Sequence, residues 1–394
     1  MKKSDDKKIL VIFGGISCEH DISIITGVMT LNCLKGTRYS PVPVYLREGG
    51  AYTGDALFDL SFYKNFDEKK LRRVFFGLGG NGVFIAKKGT YKPMGDVYCA
   101  VNCCHGLNGE DGGAAGAARL AGVPFASPDM LASSVYIDKA ATKIFLKGLG
   151  VKTVDYAVLE KKIYYADADE ALSKLIEKIG LPAVVKPARL GSSIGIKRAK
   201  DRNELRIAVE YAFRFDGKII VEKALDDFTE INCAAYKRRG QTVVSECERP
   251  ISRGDVLTFA DKYGSGVKHA LSRVFPADIP AEQSQRIREI TKLVYEKSYA
   301  VGLIRIDYLI AGGEIYLNEV NTVPGSLALY LFGSGTRDFV DVLSDVIEEG
   351  VKEWKEFKSG TFVFRTDVLS SGGGKNNGSK RSTNGDRSGI IKRI

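Results

Sequence analysis

A three-domain architecture of α/β and α+β type, opening on a doubly wound parallel sheet, follows from two strand-glycine-helix units and from the change of rhythm after them. In the first unit a buried-strand run at residues 8–13 meets Gly14-Gly15 and then a helical segment at 19–31. In the second, a strand at 97–101 leads through the loop NCCHGLNGEDGG into a helix at 114–120. The prolines at 124 and 128 break that pattern and set the first domain at 1–127.

Beyond the break, helices are expected at 138–149, stopped by Gly148 and Gly150, and at 169–179, with Gly180 in the stop position. A strand and glycine loop at 183–196 and a helix at 203–215 complete a small α+β lid, 128–221. The chain leaves it along 218–225. A third domain, 222–369, is expected to hold strands at 230–236, 242–247 and 302–310, long helices at 281–301 and 338–354, and a short strand at 361–369.

The composition is that of a soluble globular protein of more than one core: 394 residues, 44% hydrophobic and 27% charged. No apolar run exceeds strand length, and the run at 9–13 is too short for a signal-peptide core, so membrane partners are excluded and a cytoplasmic location is expected. Seven cysteines without CxxC pairs or histidine partners read as buried free thiols, with Cys18 set apart by its glycine-rich turn. The net charge of +10 is split: the Gly-, Ser- and Asn-rich tail 370–394 holds six cations and one anion, hence +5. Such a tail reads as disordered, and without a recognition-helix or RNP pattern no nucleic-acid partner is expected.

The loop after the apolar strand AVVK, ARLGSSIGI, carries Gly191, Ser192, Ser193 and Gly195 directly behind Lys186. Backbone N–H groups, hydroxyls and a lysine in that order suit a phosphate, although such a loop is also an ordinary turn. Lys139, at the start of a helix, would make a second point charge for the same phosphates. In RIDYLIAGGEIYLNEVN, Glu319 and Asn321 lie two apart on a strand and share a face, as oxygen ligands of a hard divalent cation would. A solvated acidic face is the alternative. A two-residue Gly312-Gly313 turn would oppose Asp307 to Asn318, whereas a three-residue turn, 312–314, would oppose it to Glu319; metal binding predicts the latter.

Six motifs in order, GGISCEHDIS (14–23), HGLNGEDG (105–112), DKAATK (138–143), VVKPARLGSSIGI (184–196), RIDY (305–308) and NEVNTVPG (318–325), resemble the D-alanine-D-alanine ligases of the ATP-grasp superfamily, over residues 8 to 357. The resemblance implies the three-domain ATP-grasp fold, with ATP held by Lys139, Lys186 and Ser193. Glu222 would take the adenine amino group, with Lys223 and Leu225 beside it and Glu230 at the ribose, one residue further along than usual. Asp307, Glu319 and Asn321 would hold two Mg2+ or Mn2+ ions. Glu19 would take the first D-alanine's ammonium, with His105 near its carboxylate and Ser192 linking the glycine loop to Glu19. Arg305 and the Gly325 N–H would stabilise the oxyanion. A homodimer is also implied.

The chain departs from the family pattern in two places. The mobile-loop lysine and tyrosine are assigned to Lys262 and Tyr263, although an ungapped alignment puts Ser265 and Gly266 there. At the acceptor end, with Leu331 beside it, Tyr330 replaces the serine that receives the second substrate's carboxylate. Three functions therefore stay open: ligation of two D-alanines for a peptidoglycan precursor, ligation to another acceptor such as D-serine or D-lactate, and a catalytically silent nucleotide-binding paralogue.

Overall fold

The computed structural model describes residues 7–251 and 273–364, and the chain divides into two compact units, Met1–Lys355 and Glu356–Ile394. The first unit contains a seven-stranded sheet built from β1 (Lys7–Gly14), β2 (Tyr39–Arg47), β3 (Gly50–Thr53), β4 (Arg72–Phe76), β5 (Val83–Lys87), β6 (Thr90–Pro93) and β7 (Cys99–Asn102). Its order is β6-β5-β4-β3-β2-β1-β7, parallel across β2-β1-β7 and antiparallel beyond. No sequence signal assigned elements to residues 39–93, which supply the parallel β2 and, from residue 50, the antiparallel extension. The expected glycine-turn units are the rest of the parallel part, extended by Phe125 bridging to Ala100.

Strand alternation explains how β1 is buried on both faces. Ile9, Val11 and Phe13 pack with Ile24, Val28 and Leu31 of α1 (His20–Leu34). Leu10 and Ile12 pack with Ala114, Ala118 and Ala121 of α2 (Gly113–Ala121). Each such aliphatic side chain contributes about 1.5–3 kcal/mol of burial. The loops after β1 and β7 are thereby fixed at one end of the sheet.

After α3 (Met130–Ile137), Asp138 caps α4 (Lys139–Gly148) by accepting from the N–H groups of Ala140 and Ala141. A four-stranded antiparallel sheet follows, ordered β10-β9-β11-β8, from β8 (Tyr156–Glu160), β9 (Ala183–Pro187), β10 (Lys197–Ala199) and β11 (Lys218–Lys223). It is covered by α6 (Ala168–Ile179) and α7 (Arg202–Ala212), with the short α5 (Lys161–Ala166) beside β8.

The third sheet is ordered β13-β12-β16-β17, from β12 (Thr229–Arg238), β13 (Gln241–Val244), β16 (Ile304–Ala311) and β17 (Glu314–Asn321), and α8 (Ala281–Lys297) packs on it. Two-residue strands β14 (Arg249–Pro250) and β15 (Arg273–Val274) pair beside it. Helix α8 ends four residues before the expected 301, where Tyr299 and Gly302 take positive φ. Of the second unit, the described part holds the last residues of α9 (Thr336–Lys358) and 361–364, which form no strand; the rest of the strand expected at 361–369, and the tail, lie outside the described residues. All seven cysteines are free and six are buried.

Candidate active site

The Asp307 hairpin departs from expectation in its turn but not in its pairing. The turn has two residues, Gly312 and Gly313, with φ of 57° and 82°, so Ala311 opposes Glu314. A β-bulge at Asn318 then shifts the register by one, and Asp307 opposes Glu319 after all. The three-residue turn is therefore wrong, because two consecutive glycines accept the left-handed pair that a tight hairpin requires. The bulge also presents Asn318, whose amide oxygen accepts from Lys186 Nζ at 3.0 Å.

On this face Arg305 grips Asp307 through Nε at 2.7 Å and Nη2 at 2.9 Å, and Asn321 Nδ2 donates to Asp307 Oδ2 at 3.1 Å. Glu319 lies 3.6 Å from Lys139 Nζ, which also donates to the Leu190 carbonyl at 2.7 Å. Among the described residues no three His, Cys, Asp or Glu side chains converge as a metal cluster. A divalent cation would draw on two carboxylates and the Asn321 amide, an all-oxygen set suited to a hard ion.

One pocket collects Lys186, Ser193, Glu222, Lys223, Leu225, Glu230 and Glu319, with Asn318 and Arg198. Both oxygens of Glu222 are already engaged: Lys186 Nζ lies 2.6 Å from one and Lys143 Nζ 2.9 Å from the other. Burial pushes this carboxyl up, but the two lysines outweigh it and hold it at about 2. Each oxygen thus has one lysine partner and keeps a further lone pair to accept with, and Glu222 lines the pocket together with Lys223 and Leu225. Lys143, which no sequence signal singled out, stands four residues after Lys139 on the same helix, a spacing that could have revealed it.

The glycine loop joins this pocket to the end of the first sheet. Ser192 and Ser193 take φ of 52° and 58°, and the Ser192 hydroxyl donates to Glu19 Oε1. Glu19 immediately precedes α1, makes no side-chain capping bond to it, and is buried. Two glycines make room for its carboxylate: a Cβ at Gly191 would lie 3.1 Å from Oε1, and one at Gly106, φ 68°, 2.8 Å from Oε2. His105 bonds Thr26 Oγ1 at 2.9 Å, and Thr26 accepts from the Ser326 N–H at 3.3 Å. Burial, with Arg305 nearby, holds the His105 imidazole down at about 3, so the ring is neutral.

Glu110, also unanticipated, ties the two ends together by accepting from the Gly106 N–H at 2.9 Å and the Val323 N–H at 3.0 Å. Burial and the nearby Glu19 raise its carboxyl to about 7. Gly325 opens a turn, Gly325–Leu331, in which Ser326, Leu327 and Ala328 all have φ near 50°. Tyr330 lies close to Arg305, whereas the Leu331 side chain is buried in the core, leaving only its main chain for a ligand. Lys262 and Tyr263 lie outside the described residues.

A lid sheet and a larger sheet that share a pocket, with buried lysines from one side and paired carboxylates from the other, define a nucleotide site of the ATP-grasp kind. Residues 8–128 match the D-ala D-ala ligase N-terminus profile and 145–338 the D-ala D-ala ligase C-terminus profile. The chain is 35% identical to the D-alanine--D-alanine ligase of Thermosipho melanesiensis over 352 residues, 88% of this chain and 94% of that one. It is 32% identical to the Campylobacter jejuni enzyme over 87% and 93%. The solved D-alanine-D-alanine ligase of Helicobacter pylori superposes with a TM-score of 0.72 at 27% identity, covering 87% of this chain and 98% of that one. The VanG D-Ala:D-Ser ligase of Enterococcus faecalis gives 0.71 at 25% identity, over 89% and 100%. The chain belongs to the D-alanine-D-alanine ligase family.

Proposed function

We propose that the chain joins two D-alanines at the expense of ATP, as its family's name describes, by way of an acylphosphate, and thereby makes a peptidoglycan precursor. A carboxylate oxygen of the first D-alanine attacks the γ-phosphorus and ADP leaves. The amine of the second attacks the resulting acyl carbon, the tetrahedral intermediate expels inorganic phosphate, and the amine gives up its proton. Lys139, Lys186 and the Ser193 loop would hold the phosphates, and Arg305 with the Gly325 N–H would meet the oxyanion. Asp307, Glu319 and Asn321 would hold two magnesium or manganese ions, which when bound neutralise phosphate charge.

The observation that carries this reading is the Ser192 to Glu19 hydrogen bond, which places the phosphate loop against the group that would receive the first D-alanine's ammonium. Neutral His105 would then meet that substrate as a hydrogen-bonding ring and not as a countercharge. We further propose domains at 1–127, 128–221 and 222–369 with a basic tail, a homodimer, and a cytoplasmic site of action. Among the described residues no helix is long and apolar enough to cross a membrane.

Phosphate release by the purified full-length chain with ATP, magnesium and D-alanine as the sole amino acid tests the reading, with the dipeptide identified by mass. No release would sink it. A second reading, a D-serine or D-lactate acceptor, is favoured by Tyr330 in the serine's place; turnover appearing only when one of these is added would establish it. ATP binding without phosphate release for any D-amino acid would indicate the silent paralogue.

A further inference from the structure

Four residues lie side by side across the third sheet. Glu248 bridges Asn232, Asn232 opposes Asp307, and Asp307 opposes Glu319, so the row runs unbroken over one face. At one end Lys139 approaches Glu319. At the other, Glu248 is buried and gathers three donors: Asn232 Nδ2 at 3.1 Å, Arg273 Nη1 at 3.4 Å and the Tyr330 hydroxyl at 3.5 Å. The Arg273 guanidinium stands over the Tyr330 ring, 4.6 Å from its centroid. Burial pushes the Tyr330 phenol up to about 12, so it keeps its proton and remains a donor. Asn232 Oδ1 is buried and has no hydrogen-bond partner among the described residues, a spare acceptor in the middle of the row.

We propose that Arg273 and Tyr330, held by Glu248, form the subsite for the acceptor's carboxylate, taking the place of the serine this chain lacks. The inference rests on the ligase reading above. Glu248 acts as a positioning residue: its carboxylate fixes the guanidinium against the phenol ring, and the single phenol proton turns from its long 3.5 Å contact with Glu248 to the bound carboxylate, so that one N–H fork and one O–H converge. Arg273 supplies the cation, which a serine could not, and its planar fork matches a carboxylate. The acceptor's amine is thereby turned toward Asp307 and Arg305, where the acyl carbon would lie.

A competition between two acceptors separates this role from a structural one. Wild type and the Arg273→Ala, Glu248→Ala, Glu248→Gln and Tyr330→Phe variants are each given ATP, magnesium and D-alanine with equimolar D-alaninamide. The ratio of dipeptide to dipeptide amide is read by mass spectrometry. D-alaninamide lacks the carboxylate, so wild type is expected to favour D-alanine strongly. Arg273→Ala and Glu248→Ala are expected to shift the ratio about tenfold or more toward the amide, the value of one charged hydrogen bond. Tyr330→Phe is expected to shift it less, and Glu248→Gln, which keeps an acceptor, to restore part of the preference. Equal loss of both products, or an unchanged ratio at lower rate, would overturn the proposal. A wild type that forms neither product would instead count against the ligase reading itself.

Discussion

On the nucleotide side of the cleft, Lys143, Glu222 and Lys186 sit on a regular helix and two regular strands and are already paired, with one positive charge in excess. On the acceptor side, Ser326, Leu327 and Ala328 run through three left-handed conformations, and Tyr330 is held by partners from three separate segments. The first region, the Lys143-Glu222-Lys186 cluster, is ordered by charge on regular backbone, although the glycine loop beside it holds Ser192 and Ser193 in the left-handed region. The second is ordered by packing over strained backbone, at about 1–2 kcal/mol for each left-handed residue. A charge network constrains which side chains can be exchanged, whereas a strained turn leaves sequence freedom so long as its core holds.

The sharpest way to break the comparison is Glu222→Gln, which leaves two buried lysines without their counter-ion. It is expected to cost about 3–5 kcal/mol, read as a lower midpoint in thermal and urea unfolding; an unchanged midpoint would mean the network does not hold the nucleotide side together. Next, Asp307→Asn should lower phosphate release roughly 10²–10³-fold with the unfolding midpoint only modestly changed. A similar loss of both would place Asp307 with the structural charges.

Acid should act through both regions. The carboxyl of Glu222, held at about 2 against an ordinary 4.5, and the imidazole of His105, held at about 3 against 6.5, each contribute stability that is full above the ordinary value and lost as pH falls. The melting temperature is thus expected to fall steeply below pH 4.5, where both groups act together, and His105→Gln should make that fall shallower. Glu110 has the opposite sign, since a carboxyl raised to about 7 contributes stability that is lost as pH rises from 4.5 through 7.

A smaller effect is expected from Gly191→Ala, whose Cβ would crowd the Glu19 carboxylate: the KM for the first D-alanine should rise several-fold, about 1 kcal/mol, while the KM for ATP stays put. Least of all, Ser326→Gly should relieve part of the left-handed strain. We expect a gain of at most about 1 kcal/mol and little change in turnover, and a loss of stability would show that the turn is not strained.

In the parallel part of the first sheet β1 and β7 were legible because each is an apolar run leading into a glycine-bearing loop, whereas β2, interrupted by two prolines, was not. The antiparallel extension was not, since β3 to β6 are short, half-exposed and without strong alternation. Lys139 opens a helix and Lys186 stands near the end of a strand, so their directions follow from local structure, whereas Ser193 lies in the loop beyond β9. For Glu222 the sequence pointed to the pocket but not to the two lysines that hold its carboxylate. Those lysines, Lys143 and Lys186, come from elements about 80 and 36 residues away along the chain.

By itself the sequence determined the order of the elements, the glycine turns at the ends of strands, and the oxygen-donor pattern of Asp307, Glu319 and Asn321, because backbone conformation and side-chain periodicity are local properties. Only the tertiary structure decided that a bulge at Asn318 rescues the pairing a two-residue turn would have spoiled. It alone turned Glu222 to two lysines and set Glu248 at the end of a row with Asn232, Asp307 and Glu319. Register and charge pairing are settled between segments far apart in the chain, by the burial that brings them together, and no single segment carries that information.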